Sequence, residues 1–154
     1  MLTSRYLARV EAAHVDYNGH MNVAYYMLFF DRATDAMLER LGLGAAYRAA
    51  TGHSVFAVEA HITYGREVLE GAPLAIDSRL LAADAKRLHM FHRMTQAEAG
   101  FQAATCEFAI LHVDLASRRT APFPPEIAAA LPAAVGDAPW PAEAGRAVGF
   151  ARRG

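Results

Sequence analysis

Cysteine is almost missing from this chain: Cys106 is the only one in 154 residues. A single thiol cannot build an internal disulfide framework, so a packed core must hold the fold, which agrees with a reducing compartment. Neither sign of charge dominates, since 15 Lys and Arg face 16 Asp and Glu, and the basic residues are scattered. That pattern excludes the basic stripe of a nucleic-acid binder. No stretch approaches the ~18 consecutive apolar residues of a membrane span. The opening MLTSRYLARV also lacks the apolar run of a signal peptide. A cytoplasmic location, with neither nucleic acid nor membrane as partner, is therefore expected. Proline is scarce before residue 121, and six of the seven follow it. The remainder is 54% hydrophobic and 20% charged, a composition that buries a real core and is too apolar for a disordered chain.

Periodicity then divides the chain. Residues 3–13 read as a strand. From Asn22 the spacing becomes helical: Tyr26, Phe29, Phe30, Ala33, Met37 and Leu41 share one face, and Asp31, Asp35 and Glu39 form an i, i+4 row opposite. Asn22 is placed to cap this helix, and the glycines of GLG at 42–44 to end it. Beyond a loop around Gly52 come four strand-like stretches, FAVEAHITY, LAIDSRLL, RLHMFHRM and FQAATCEFAILHVD, with no helix expected between them. The short connections at 70–73, 83–86 and 98–100 favour antiparallel hairpins. The predicted class is α+β, one long helix wrapped by a five-stranded antiparallel sheet over residues 1–120. Residues 121–154, rich in Pro, Ala and Gly, are expected as a covering arm and not a separate domain, with a short helix at 125–131. The open sheet would leave edges for a symmetric dimer to pair.

One short stretch is chemically dense. HVDYNGHMN, residues 14–22, gathers two histidines, an aspartate and two asparagines just before the aromatic-rich helix. Asn18–Gly19 is a common turn pair, and Asp16 could serve only that turn. The stretch also lies where the first helical turn presents unpaired N–H groups and a positive dipole end.

Strand, polar turn, helix and four further strands, with DYNGHMN ahead of the helix, resembles the hotdog-fold acyl-CoA thioesterases related to 4-hydroxybenzoyl-CoA thioesterase. The resemblance implies a catalytic aspartate at Asp16, followed three residues later by Gly19. Asp16, Asn18 and His20 also reproduce the Asp-x-Asn-x-His turn of plant acyl-carrier-protein thioesterases. More narrowly, GHSVFAVEAHITY, KRLHMFH and LHVDLASRRTAPFP resemble the betainyl-CoA thioesterases of bacterial carnitine breakdown. The resemblance implies an acyl-CoA substrate, a homodimer or homotetramer with the site at its interface, and no cofactor.

Thioester hydrolysis needs an attacking oxygen, a proton acceptor and donors for the developing oxyanion. Asp16 could activate water or attack the carbonyl itself, while Asn18 and His20 orient water or bind Asp16. The backbone amides of Val23 and Ala24 are the expected oxyanion hole, and Gly19, Asn22, Tyr25 and Tyr26 the expected substrate contacts. Arg66, Lys86, Arg87, Arg118 and Arg119 are candidates for CoA phosphates. A cationic acyl group would want aromatic faces, for which Tyr25, Tyr26, Phe29, Phe30, Tyr64 and Trp140 are available.

Other polar residues read as structural. Glu59 and His61 fall on the less apolar face of their strand, as solvated or dimer-contact groups. His89 and His92 point to opposite faces of one strand, and the histidines show no zinc-like pattern, so no metal site is expected. Cys106 reads as a packed strand residue. Two alternatives remain open at this point. Hotdog hydratases carry Asp-x-Asn-Pro-x-His, but here Gly19 replaces the proline and His20 comes one residue early. A non-catalytic acyl-CoA-binding protein would leave Asp16 without a task.

Overall fold

The computed structural model describes residues 1–146; residues 147–154 of the expected arm lie outside the described residues. Five long strands form one antiparallel sheet: β1 (Thr3–Arg9), β2 (His53–Tyr64), β3 (Pro73–Ala83), β4 (Arg87–Gln96) and β5 (Gln102–Asp114). Their order is β1-β3-β4-β5-β2, and a two-residue β6 (Arg119–Thr120) pairs with the end of β5. Helix α1 (Val23–Arg40) packs on one face, against β1, β3 and β4. This is the hotdog architecture the sequence led us to expect.

The helix forms where its apolar stripe meets that sheet. Phe29, Phe30, Ala33 and Met37 are buried against Ile76, Leu80, Met90 and Met94. Asn22 caps the N-terminus, its side chain accepting the Ala24 N–H at 2.9 Å. At the other end Gly42 turns left-handed with φ 73°. There the Leu43 N–H reaches the Leu38 carbonyl at 2.9 Å and the Gly42 N–H reaches that of Glu39 at 3.1 Å. Leu38 and Leu43 are both buried, completing a Schellman cap with its apolar clasp.

Three boundaries differ from the sequence reading. β1 stops at Arg9, short of residue 13, because Ala12–His14 coil into a 3-10 turn, with the His14 N–H on the Glu11 carbonyl at 2.9 Å. A second helix, α2 (Ala45–Thr51), lies where a loop was expected. None of its residues is buried, so no periodic apolar face marks it. It is tethered instead, with the Ala45 N–H on Glu39 at 2.9 Å and the Tyr47 hydroxyl 2.8 Å from His112 Nε2. Helix α3 (Pro125–Val135) runs beyond the expected 125–131, and Phe123, Leu131 and Ala134 join the main core.

One imidazole is sealed under the long helix. His92 is fully buried, 3.0 Å from the Thr34 hydroxyl through Nε2 and 2.7 Å from that of Ser78 through Nδ1. Thr34 spends its only hydroxyl proton on the Phe30 carbonyl at 2.9 Å. It must therefore accept from Nε2–H, and Ser78 must donate to a bare Nδ1. Burial pushes the His92 pKa down to about 3, so the ring is neutral.

Candidate active site

The polar turn between β1 and α1 is built by its own backbone. The Asp16 N–H meets the His20 carbonyl at 3.2 Å, the Gly19 N–H meets that of Asp16 at 3.0 Å, and Val15 bridges Met21. Gly19 closes the turn with φ 81°, in space that would accept a Cβ. Glycine is required there by the backbone angle and not by crowding. The turn is moored to its surroundings by the Met21 N–H on the Val68 carbonyl and the Asn22 N–H on that of His14, both at 2.9 Å.

The half-buried Asp16 carboxylate is held at both oxygens. Oδ1 accepts the Asn18 backbone N–H at 2.8 Å, and Oδ2 accepts the Asn22 side-chain amide at 3.1 Å. The Asn18 amide, then the Asn22 side chain and the nearby His20, hold the carboxyl below its ordinary value, while partial burial opposes them. The group is therefore ionised at neutral pH. Asn22 does two things with one carboxamide: its oxygen caps α1 and its nitrogen steadies Asp16. The sequence reading had assigned it the cap and a substrate contact.

Asp16 opens into a pocket of about 430 Å³, together with His20, Asn22, Val23 and Tyr26. Four expected residues are not in that wall. Asn18 serves Asp16 through its backbone N–H, and Gly19 shapes the turn. Tyr25 turns away to pack on His14, ring centroids 4.7 Å apart. Ala24 is displaced from the expected oxyanion hole, since its N–H is committed to the Asn22 cap. The Tyr25 N–H is likewise bound to the Asn22 carbonyl at 3.0 Å. Among the described residues this leaves Val23 as the pocket-lining amide of the first turn without an intramolecular acceptor.

The opposite wall was not foreseen as a unit. Tyr64, at the end of β2, and the following Gly65, Arg66 and Glu67 face the turn across the pocket. Tyr64 and Arg66 were on separate lists of candidates, and Glu67 on none. Their approach depends on distant backbone contacts: Gly65 N–H to the Ala103 carbonyl at 2.8 Å, and Gly71 N–H to that of Val10 at 2.7 Å. No local pattern encodes those contacts. Of the basic candidates only Arg66 lines this pocket, and Arg87 is engaged with Asp84 at 2.6 Å.

The remaining polar residues lie elsewhere. Glu59 and His61 line a second pocket on the outer face of the sheet, with His89 and Glu107 hydrogen-bonded at 2.7 Å. His89 and His92 do lie on opposite faces. Cys106 is buried in the core cluster, and burial pushes its thiol up to about 12, which leaves it protonated and unreactive.

An ionised carboxylate beside a free helix-terminal amide, at the mouth of a pocket, is equipment for acyl transfer to water. The model of the thioesterase-like superfamily matches residues 10–131, and the chain belongs to that family. A betainyl-CoA thioesterase of Pseudomonas aeruginosa is 42% identical over 139 residues, 88% of this chain and 87% of that one. An L-carnitine dehydrogenase/betainyl-CoA thioesterase of Agrobacterium fabrum is 46% identical over 124 residues, 80% of this chain but 25% of its own length. In fold, the chain is similar to a Staphylococcus aureus protein solved in complex with CoA, with TM-score 0.88, 24% identity and coverage of 97% and 96%. The expectation of a hotdog acyl-CoA thioesterase thus holds for family, fold and enzyme class.

Proposed function

We propose that this thioesterase hydrolyses betainyl-CoA, with Asp16 as its catalytic carboxylate. The observation that carries the mechanism is the Asp16 carboxylate, pinned at both oxygens and ionised, beside the unbonded Val23 amide in one pocket. The betainyl assignment is supported by the similarity to the Pseudomonas aeruginosa enzyme over most of both chains. The substrate binds with its carbonyl oxygen toward Val23, where the N–H and the positive end of α1 stabilise the developing oxyanion. Asp16 then either takes a proton from attacking water or attacks the carbonyl to form an anhydride that water opens. In both routes the C–S bond breaks, CoA leaves as the thiol, and the acyl group leaves as the carboxylic acid. His20, in the same pocket, orients water or substrate.

The test is release of free CoA thiol by purified protein and by variants. Asp16→Asn should fold normally and lower kcat by ~10³-fold or more, whereas His20→Ala should cost on the order of 10- to 100-fold. Near-normal turnover in Asp16→Asn would end the mechanism. Single-turnover hydrolysis in ¹⁸O-water tests the anhydride route, because label in the Asp16 side chain arises only when water opens an anhydride at the Asp16 carbonyl.

We also propose that the working form is at least a homodimer. Among the described residues β2 is a 12-residue edge strand that pairs only with β5, and it exposes Phe56 (41%) and Val58 (57%). An unpaired apolar edge of this length is a template for a second strand. Light scattering at micromolar concentration should give twice the chain mass or more; a stable, active monomer would overturn this. A cytoplasmic location accords with a CoA thioester substrate, and no helix among the described residues is long and apolar enough to cross a membrane. Cell fractionation that finds the protein outside the cytosol would refute it.

A further inference from the structure

A betainyl group carries its charge close to the bond that breaks. Two single bonds separate the carbonyl carbon from the quaternary nitrogen, a distance of about 2.5 Å. An aromatic face recognises such a cation within about 6 Å of its centroid. The receptor must therefore share the pocket of Asp16.

That requirement sorts the available rings. Phe29 and Phe30 are closed inside the core. Tyr25 is packed on His14. Trp140 is fixed on the other side of the sheet, its indole N–H on the Leu81 carbonyl at 3.2 Å and its ring against His89. Only Tyr26 and Tyr64, of the six, line the Asp16 pocket. Tyr26 is 5% exposed and has little open face, whereas Tyr64 is 53% exposed. The two rings stand at 88° with centroids 5.2 Å apart, so the buried ring braces the open one.

A carboxylate lies in the same wall. Glu67 is exposed in the pocket and makes no salt bridge among the described residues. Its neighbour Arg66 also lines the pocket, with its guanidinium carbon stacked 4.2 Å from the centre of the Phe101 ring. A trimethylammonium group has no N–H to donate, so an aromatic face and an unpaired negative charge are the contacts that favour it.

We propose that Tyr64, braced by Tyr26 and accompanied by Glu67, is the receptor for the quaternary ammonium of the acyl group. The inference rests on the betainyl reading above.

The experiment compares betainyl-CoA with 3,3-dimethylbutanoyl-CoA, in which carbon replaces the charged nitrogen at nearly the same shape. The ammonium also activates the thioester inductively, so recognition of charge is read from the change in the ratio of the two kcat/KM values between wild type and variant. Wild-type enzyme should prefer the cation. Tyr64→Leu should lower that ratio on the order of 10-fold, mainly through the cationic substrate, while Tyr64→Phe keeps it. Glu67→Gln, in a loop outside the sheet, should lower it in the same direction even if Tyr64→Leu disturbs assembly. If wild type favours betainyl-CoA and neither Tyr64→Leu nor Glu67→Gln changes the ratio, the receptor is wrong while the substrate reading stands. If wild type shows no preference for the cation, the substrate reading fails and this proposal with it.

Discussion

Acid should unfold this protein partly through one histidine, and His92→Gln isolates that contribution. The native imidazole titrates at about 3, against 6.5 when exposed. Between those values the unfolded chain binds one more proton than the folded one at this site. Stability from His92 is thus fully present above pH 6.5 and is lost as the pH falls toward 3. The slope approaches about 1.4 kcal/mol per pH unit once the pH is well below 6.5, so acidification from pH 7.5 to 4.5 removes on the order of 2–3 kcal/mol. Glutamine cannot titrate, but it breaks the Ser78–His92–Thr34 chain and should cost about 1–3 kcal/mol at pH 7.5. The difference between wild type and variant should therefore shrink steadily below pH 6.5 and approach zero or reverse near pH 4.5. Urea unfolding followed by circular dichroism at pH 7.5, 6.5, 5.5 and 4.5, at one protein concentration, measures it. A constant difference across that range would refute the argument, because it would mean that the buried ring takes up a proton as readily as an exposed one.

Two further outcomes follow from the site and core. Asn22→Ala should cost about 1 kcal/mol through the lost helix cap. It also removes a donor from Asp16, so the acid limb of the kcat/KM profile should move to higher pH; an unmoved limb would show that the Asn22 contact does not tune the carboxylate. Cys106 should react with a thiol-specific disulfide reagent only as the protein unfolds, and rapid labelling of the native protein would contradict its burial.

The long helix was legible because its physics is local. Burying one face of a helix demands apolar residues every three or four positions, and Tyr26 to Leu41 obey that rule with Asn22 and Gly42 at the ends. The strands were legible through alternation, and His92 and His89 fell on opposite faces as the two-residue period requires. Helix α2 escaped notice because it buries nothing and is held by a carboxylate and a tyrosine reaching other elements.

The sequence by itself determined the helix, the antiparallel strands, the carboxylate on the turn and the family resemblance, since each depends on neighbours within a few residues. Tertiary structure alone decided how those parts become a pocket. It turned Tyr25 toward His14 and set Tyr64, Arg66 and Glu67 opposite Asp16. The physical reason is distance along the chain: some fifty residues separate the two walls, and backbone bonds to Val10, Val68 and Ala103 hold them in place. Such contacts form only when the sheet closes on the helix, and no period in the sequence records them.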